Sequence, residues 1–144
     1  MRNGIVETAL QTIQLEAKSI ADLAAFLDPS FPAAIELLNN CKGRLVFSGI
    51  GKSALIAQKI VATLNSTGTP SLFMHAADAI HGDLGVVQKD DIVLILSKSG
   101  ESPEIKALVP YIKNFGNKLI AVVGNTSSYL ANEANYILNT TVSL

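Results

Sequence analysis

Apolar positions along the chain follow a helical period first and an alternating strand–helix pattern afterwards. Between residues 4 and 27, Val6, Leu10, Ile13, Ala17, Ile20, Ala24 and Leu27 recur at three- and four-residue steps. That spacing predicts one long helix with a single apolar stripe. Such a helix either packs on its own sheet or lies across a second subunit, and the pattern leaves both open. Asp28-Pro29-Ser30 breaks it. Residues 31–41 read as a second helix, with Ser30 as N-cap and Gly43 just beyond its end.

From there the order is strand, turn, helix, repeated. Strands are expected over 44–48, 71–74, 92–96 and 118–123, with a fifth beginning at 136–139. Helices are expected from the glycine turn to about Ser66, over 103–115 and over 127–133, with a short helix or ordered loop at 78–84. Alternating β and α units imply a parallel sheet with right-handed crossovers and helices on both faces. The common doubly wound order 2-1-3-4-5 sets strands one and three side by side, with their helices leaving on opposite faces. That gap is where ligands bind such folds.

The most informative stretch is Asp91 to Glu104, DIVLILSKSGESPE. Its first half is an unbroken apolar run suited to a strand buried on both faces. The second half changes to Ser97, Ser99, Gly100 and Ser102, then Pro103 opens a helix with Ser102 as N-cap. Hydroxyls, a glycine and a helix N-terminus together make an anion cradle, which predicts a bound phosphate. The turn after strand one, Gly49-Ile50-Gly51-Lys52-Ser53-Ala54, supplies a tight bend and a cation. A P-loop is only a minor alternative, because the first glycine of that motif would fall on Val46. A dinucleotide turn, whose G-x-G-x-x-A pattern it matches, is likewise a minor alternative: residues 60–77 hold no acid for a ribose.

His75, Asp78, His81 and Asp83 form a polar cluster after strand two, suited to acid–base chemistry or hydroxyl binding. Their spacing fits no closed metal-ligand set. His81, in a turn with Gly82 and Asp83, is the better candidate of the two histidines. Glu104 is the carboxylate best placed to act on a ligand anchored at the serines.

Composition narrows the partners. At 144 residues and 49% hydrophobic content the chain can bury one good core, so a single α/β domain is expected. A net charge of -1 without a long basic run argues against general nucleic-acid binding. Cys41 is the only cysteine, no apolar run approaches the ~20 residues of a membrane span, and Met1-Arg2-Asn3-Gly4 lacks a signal-peptide core. A reducing cytoplasm is expected.

Four ordered motifs, Gly49-x-Gly51-Lys52-Ser53, Ser66 to Pro70, His81 to Gly85 and Ser97-x-Ser99-Gly100-Glu101-Ser102-x-Glu104, together resemble a sugar isomerase (SIS) domain. More narrowly, they resemble the D-arabinose 5-phosphate isomerases that feed Kdo and capsule synthesis. The resemblance implies a five-stranded three-layer α/β sandwich, a homodimer or homotetramer, and a small sugar phosphate as ligand. It implies phosphate binding by Ser97, Ser99 and Ser102 helped by Ser53, within a substrate site that also takes in Gly51, Gly100, His75 and Asp78. By carry-over, Lys52, Glu104 and His81 match catalytic positions, for an aldose–ketose interconversion through a cis-enediol with no metal or cofactor.

This sequence departs from the family pattern at Ala54, Lys98 and Asp78, where glycine, asparagine and glutamate are usual. The family domain also continues past the equivalent of Leu144, with helices carrying another glutamate and histidine and often paired CBS domains. The 144 residues are therefore expected to form one such domain cut at its C-terminal end. A sugar-phosphate sensor without chemistry is the alternative function.

Overall fold

The apolar runs become five parallel strands hydrogen-bonded in the order β2-β1-β3-β4-β5. The structure, a computed structural model, describes residues 2–142. Its strands are β1 Leu45–Gly49, β2 Ser71–His75, β3 Ile92–Ser97, β4 Lys118–Val123 and β5 Tyr136–Asn139. The helices are α1 Arg2–Asp22, α2 Ser30–Asn39, α3 Lys52–Ser66, α4 Ala76–Ala79, α5 Pro103–Asn114 and α6 Tyr129–Glu133. Short 3-10 turns at Leu23–Phe26 and Asp83–Val86 complete it. The expected order 2-1-3-4-5 and the three-layer arrangement are both present. Met1, Ser143 and Leu144, which the single-domain expectation spans, lie outside the described residues.

Alternation along the strands divides the core into two layers. Val46, Val93, Ile95, Leu119, Ala121 and Val123 face α4, α5 and α6, where Ile105, Leu108, Val109, Ile112 and Leu130 are buried against them. Leu45, Phe47, Ile92, Leu94, Leu96 and Ile120 face the other side, closed by Ala34 of α2 and by Ala57 and Val61 of α3. Strands β1 and β3 are buried along their whole length, as expected for central parallel strands covered on both faces.

Two local expectations are corrected. Ser30 is not the N-cap of α2 but lies inside it, with Pro29 in the capping position. Asp28 Oδ1 accepts the Ser30 N–H at 2.8 Å, while the Ser30 hydroxyl donates to the Ile137 carbonyl at 3.0 Å. The serine is drawn to the edge strand, and the aspartate takes over the helix start. The first helix also ends sooner than expected, tightening into the 3-10 turn after Asp22. It does not pack on the sheet: no described residue of α1 is buried, and Val6, Leu10, Ile13 and Ile20 all stand exposed. No described helix is long and apolar enough to cross a membrane.

The amino end of the sheet is locked by one buried ion pair. Arg44 Nη2 lies 2.7 Å from Asp91 Oδ2, whose side chain is fully buried. Asp91 also accepts the backbone N–H groups of Arg44 and Gln88, each at 2.8 Å. The Asn117 amide donates to the Gln88 and Asp91 carbonyls at 2.8 and 2.9 Å, tying the start of β4 to the start of β3. Burial pushes the Asp91 carboxyl up, but its bonds to Arg44 and to the two backbone N–H groups outweigh that and hold it below the usual 3.8.

A carboxyl depressed in the folded state stabilises fully above its unfolded pKa, and that contribution is lost as pH falls through the folded value. Asp91→Asn is expected to cost about 1.5–3 kcal/mol at neutral pH, because it removes the buried charge that the partly exposed Arg44 guanidinium and two backbone N–H groups bond to. It should also flatten the acid limb of stability below pH ~4. Urea unfolding of both proteins as a function of pH measures this. Parallel acid limbs would remove Asp91 from the account.

Candidate functional site

The register sets Gly49 beside Leu96, so the carboxyl ends of β1 and β3 emerge next to each other. Beyond Gly49 the chain bends through Ile50 and Gly51 into α3; beyond Ser97 it passes through residues 98–102 into α5. A side chain at Gly49 would be crowded by backbone on both sides. Its Cβ would stand 3.2 Å from the Leu96 carbonyl oxygen and 3.2 Å from the Ala54 nitrogen. Glycine there lets the two turns close on one another.

Between them lies an open cavity of about 480 Å³. Ile50 and Ser53 line it from the first turn, Ser97, Lys98, Ser99 and Ser102 from the second, and Gly124 and Asn125 from the loop after β4. Four hydroxyls, an ammonium and a carboxamide gather where two helices begin, a setting that favours a phosphate over a neutral ligand. The Ser97 hydroxyl accepts the Gly100 N–H at 3.0 Å, and the Ser99 hydroxyl accepts the Glu101 N–H at 3.3 Å. Each hydroxyl then keeps its own proton to donate to a ligand oxygen.

The serine loop is fastened to the loop after β4. Gly124 N–H donates to the Lys98 carbonyl and Leu130 N–H to the Gly100 carbonyl, both at 3.1 Å. Gly100 has φ +67°, and a Cβ on it would meet the Ser128 hydroxyl at 2.1 Å. Glu101 points away from the cavity. Its Oε1 accepts the Tyr129 N–H at 2.6 Å, and its Oε2 lies 2.6 Å from Lys106 Nζ. Those contacts, Lys106 foremost, hold its carboxyl below the ordinary glutamate value.

Of the expected site residues, Ser53, Ser97, Ser99 and Ser102 share this cavity. Ser102 stands at the N-cap of α5 but makes no side-chain capping bond, which leaves its hydroxyl to the cavity. Gly51 and Lys52 form the exposed bend and first residue of α3, and Glu104 is the half-buried second residue of α5; none of the three lines the cavity. His75 and Asp78 line a separate cavity of about 570 Å³ with Phe73, Gly82 and Asp83. There His75 Nδ1 accepts the Ala77 N–H at 3.3 Å and lies 3.9 Å from Asp78 Oδ2. His81 is exposed in the bend after α4 and lines neither cavity. Gly124 and Asn125 were missed. The signal was available, since Gly-Asn-Thr-Ser-Ser follows the fourth strand as a third polar turn at the same rim.

Residues 37–143 match the SIS domain family. The chain is 46% identical over 141 residues to the probable arabinose 5-phosphate isomerase of Haemophilus influenzae, covering 98% of this chain and 42% of that protein. With arabinose 5-phosphate isomerase KdsD of Pseudomonas aeruginosa it is 47% identical over 137 residues, covering 95% of this chain and again 42% of the relative. The chain thus spans less than half the length of both relatives. Among solved structures it is similar to Escherichia coli CFT073 c3406, solved in complex with a sugar phosphate. The TM-score is 0.91 at 38% identity, over 99% of this chain and 76% of that one. Matched over residues 37–143, the chain belongs to the SIS domain family.

Proposed function

We propose that this chain is the sugar-phosphate-binding part of an aldose–ketose isomerase that interconverts D-arabinose 5-phosphate and D-ribulose 5-phosphate in the cytoplasm. The observation that carries the reading is the convergence of Ser53 with Ser97, Ser99 and Ser102 on one cavity at the switch point. The names of its relatives support the choice of sugar. The sugar phosphate held by a structure 38% identical to it supports the class of ligand.

In this reading the serine hydroxyls and the two helix N-termini hold the phosphate, which fixes the sugar chain relative to the rim. Glu104 removes the proton from C2 of the open-chain aldose, giving a cis-enediol. The proton returns to C1 while a hydroxyl proton moves from O2 to the carbonyl oxygen O1, leaving the ketose. Lys52, one residue before Ser53, supplies positive charge to the developing enediolate oxygen. His81 carries the proton between O1 and O2. Position 52 adjoins Ser53 and position 104 lies two beyond Ser102, both of which line the phosphate cavity; this nearness supports their roles.

Glu104→Gln is expected to lower turnover of the complete protein by about 10²–10⁴-fold while leaving sugar-phosphate affinity nearly unchanged. Solvent deuterium should appear at C2 of arabinose 5-phosphate with the unsubstituted protein only. A complete protein that binds the sugar yet never exchanges that hydrogen would be a sensor rather than an isomerase.

We also propose that α1 is covered by a second copy of the chain. Ile13 and Ile20 are 62% and 70% exposed on its apolar stripe, and a stripe of that length is rarely left to water. Ile13→Asp combined with Ile20→Asp should shift the mass measured by light scattering from oligomer to monomer. An unsubstituted chain that is already monomeric at micromolar concentration rules the interface out.

A further inference from the structure

We propose that Glu101 is a positioning residue of the phosphate cavity, holding Ser99 in place by anchoring the serine loop to the start of α6; this rests on the sugar-phosphate reading. Glu101 is bonded in both directions. Its N–H donates to the Ser99 hydroxyl on the cavity side, and its carboxylate accepts the Tyr129 N–H on the far side. A shift of its backbone therefore moves the hydroxyl that would meet the ligand.

Three bonds join this loop to the segment after β4: Gly124 N–H to the Lys98 carbonyl, Leu130 N–H to the Gly100 carbonyl, and Tyr129 N–H to Glu101. Only the last is made by a side chain. Both segments line the cavity, through Ser99 and Ser102 on one side and Gly124 and Asn125 on the other. The width between them is therefore set in part by Glu101. The bond is not needed to start α6, because the Ser128 hydroxyl already caps that helix by accepting the Ala131 N–H at 3.3 Å. It acts as a cross-tie.

Lys106 keeps the carboxylate in place. Its Nζ pairs with Oε2 from one turn along α5 and lies 5.9 Å from the centre of the Tyr129 ring. Glu101 and Lys106 are 44% and 46% exposed, so the pair contributes little to global stability. Its effect is local, which separates a positioning role from a structural one.

The test compares the unsubstituted chain with Glu101→Ala and Glu101→Gln by titration calorimetry with D-arabinose 5-phosphate, amide hydrogen exchange over residues 98–101, and thermal unfolding. Glu101→Ala should raise the Kd about three- to tenfold and speed exchange in the loop, with Tm almost unmoved. Glu101→Gln keeps an oxygen for the Tyr129 N–H and should recover most of the affinity. Unchanged Kd and exchange in Glu101→Ala would overturn the proposal. So would a loss that glutamine fails to rescue, or one that comes only with a collapse of Tm. An unsubstituted chain that never saturates would sink the sugar-phosphate reading itself, and this proposal with it. That outcome is distinct from a saturating chain whose affinity ignores position 101.

Discussion

The pairing of β1 with β3 is the constraint on which the candidate site depends. These strands are separated in sequence by α3, β2 and α4, yet they run side by side with Gly49 opposite Leu96. Right-handed crossovers send α3 to one face and α5 to the other, as the two buried layers record. The chains leaving these strands therefore diverge, and the crevice between them is bounded by two helix beginnings. Were β2 inserted between β1 and β3, Ser53 would be a full strand spacing further from Ser97, beyond the reach of a single phosphate.

The two ends of the sheet are built on opposite principles. At the amino end, Asp91 is wholly buried and takes its bonds from Arg44 and from backbone N–H groups, while Asn117 ties two strand entries together. At the carboxyl end the side chains are small and polar, and the chain is held by backbone bonds between loops. Rigidity placed at one end lets the other carry hydroxyls and N–H groups that face solvent without unravelling the strands. The serine loop draws on its neighbours for definition: position 100 takes glycine because anything larger would run into Ser128.

The polar cluster after β2 follows a different logic. His75 and Asp78 line a hollow of their own on the far side of the first strand pair, and His81 stands outside both hollows. An isomerase needs its proton-carrying groups around the sugar as well as a grip on its phosphate. Here four serine hydroxyls converge on one cavity, whereas Lys52, Glu104 and His81 do not line it. The exposed stripe of α1 belongs to the same picture: this fold leaves apolar surface that its own core does not use.

Much of this was readable from residue order. The central strands announced themselves as unbroken apolar runs, and the bounds of β4 and β5 fell where hydropathy placed them, because burial on both faces admits few alternatives. Ser97, Ser99 and Ser102 could be singled out because a hydroxyl-rich turn between a buried strand and a proline-led helix has little structural purpose. What residue order could not express was which turns meet. Gly124 and Asn125 join the cavity from a third loop, Glu101 turns outward to α6, and Ser30 gives up its cap for a carbonyl of β5. Each of these depends on contacts between residues far apart in the chain, whose distances are set only when the sheet has chosen its order and register. Local spacing determined the elements and the chemical character of the rim; long-range packing alone decided which of those groups share a cavity.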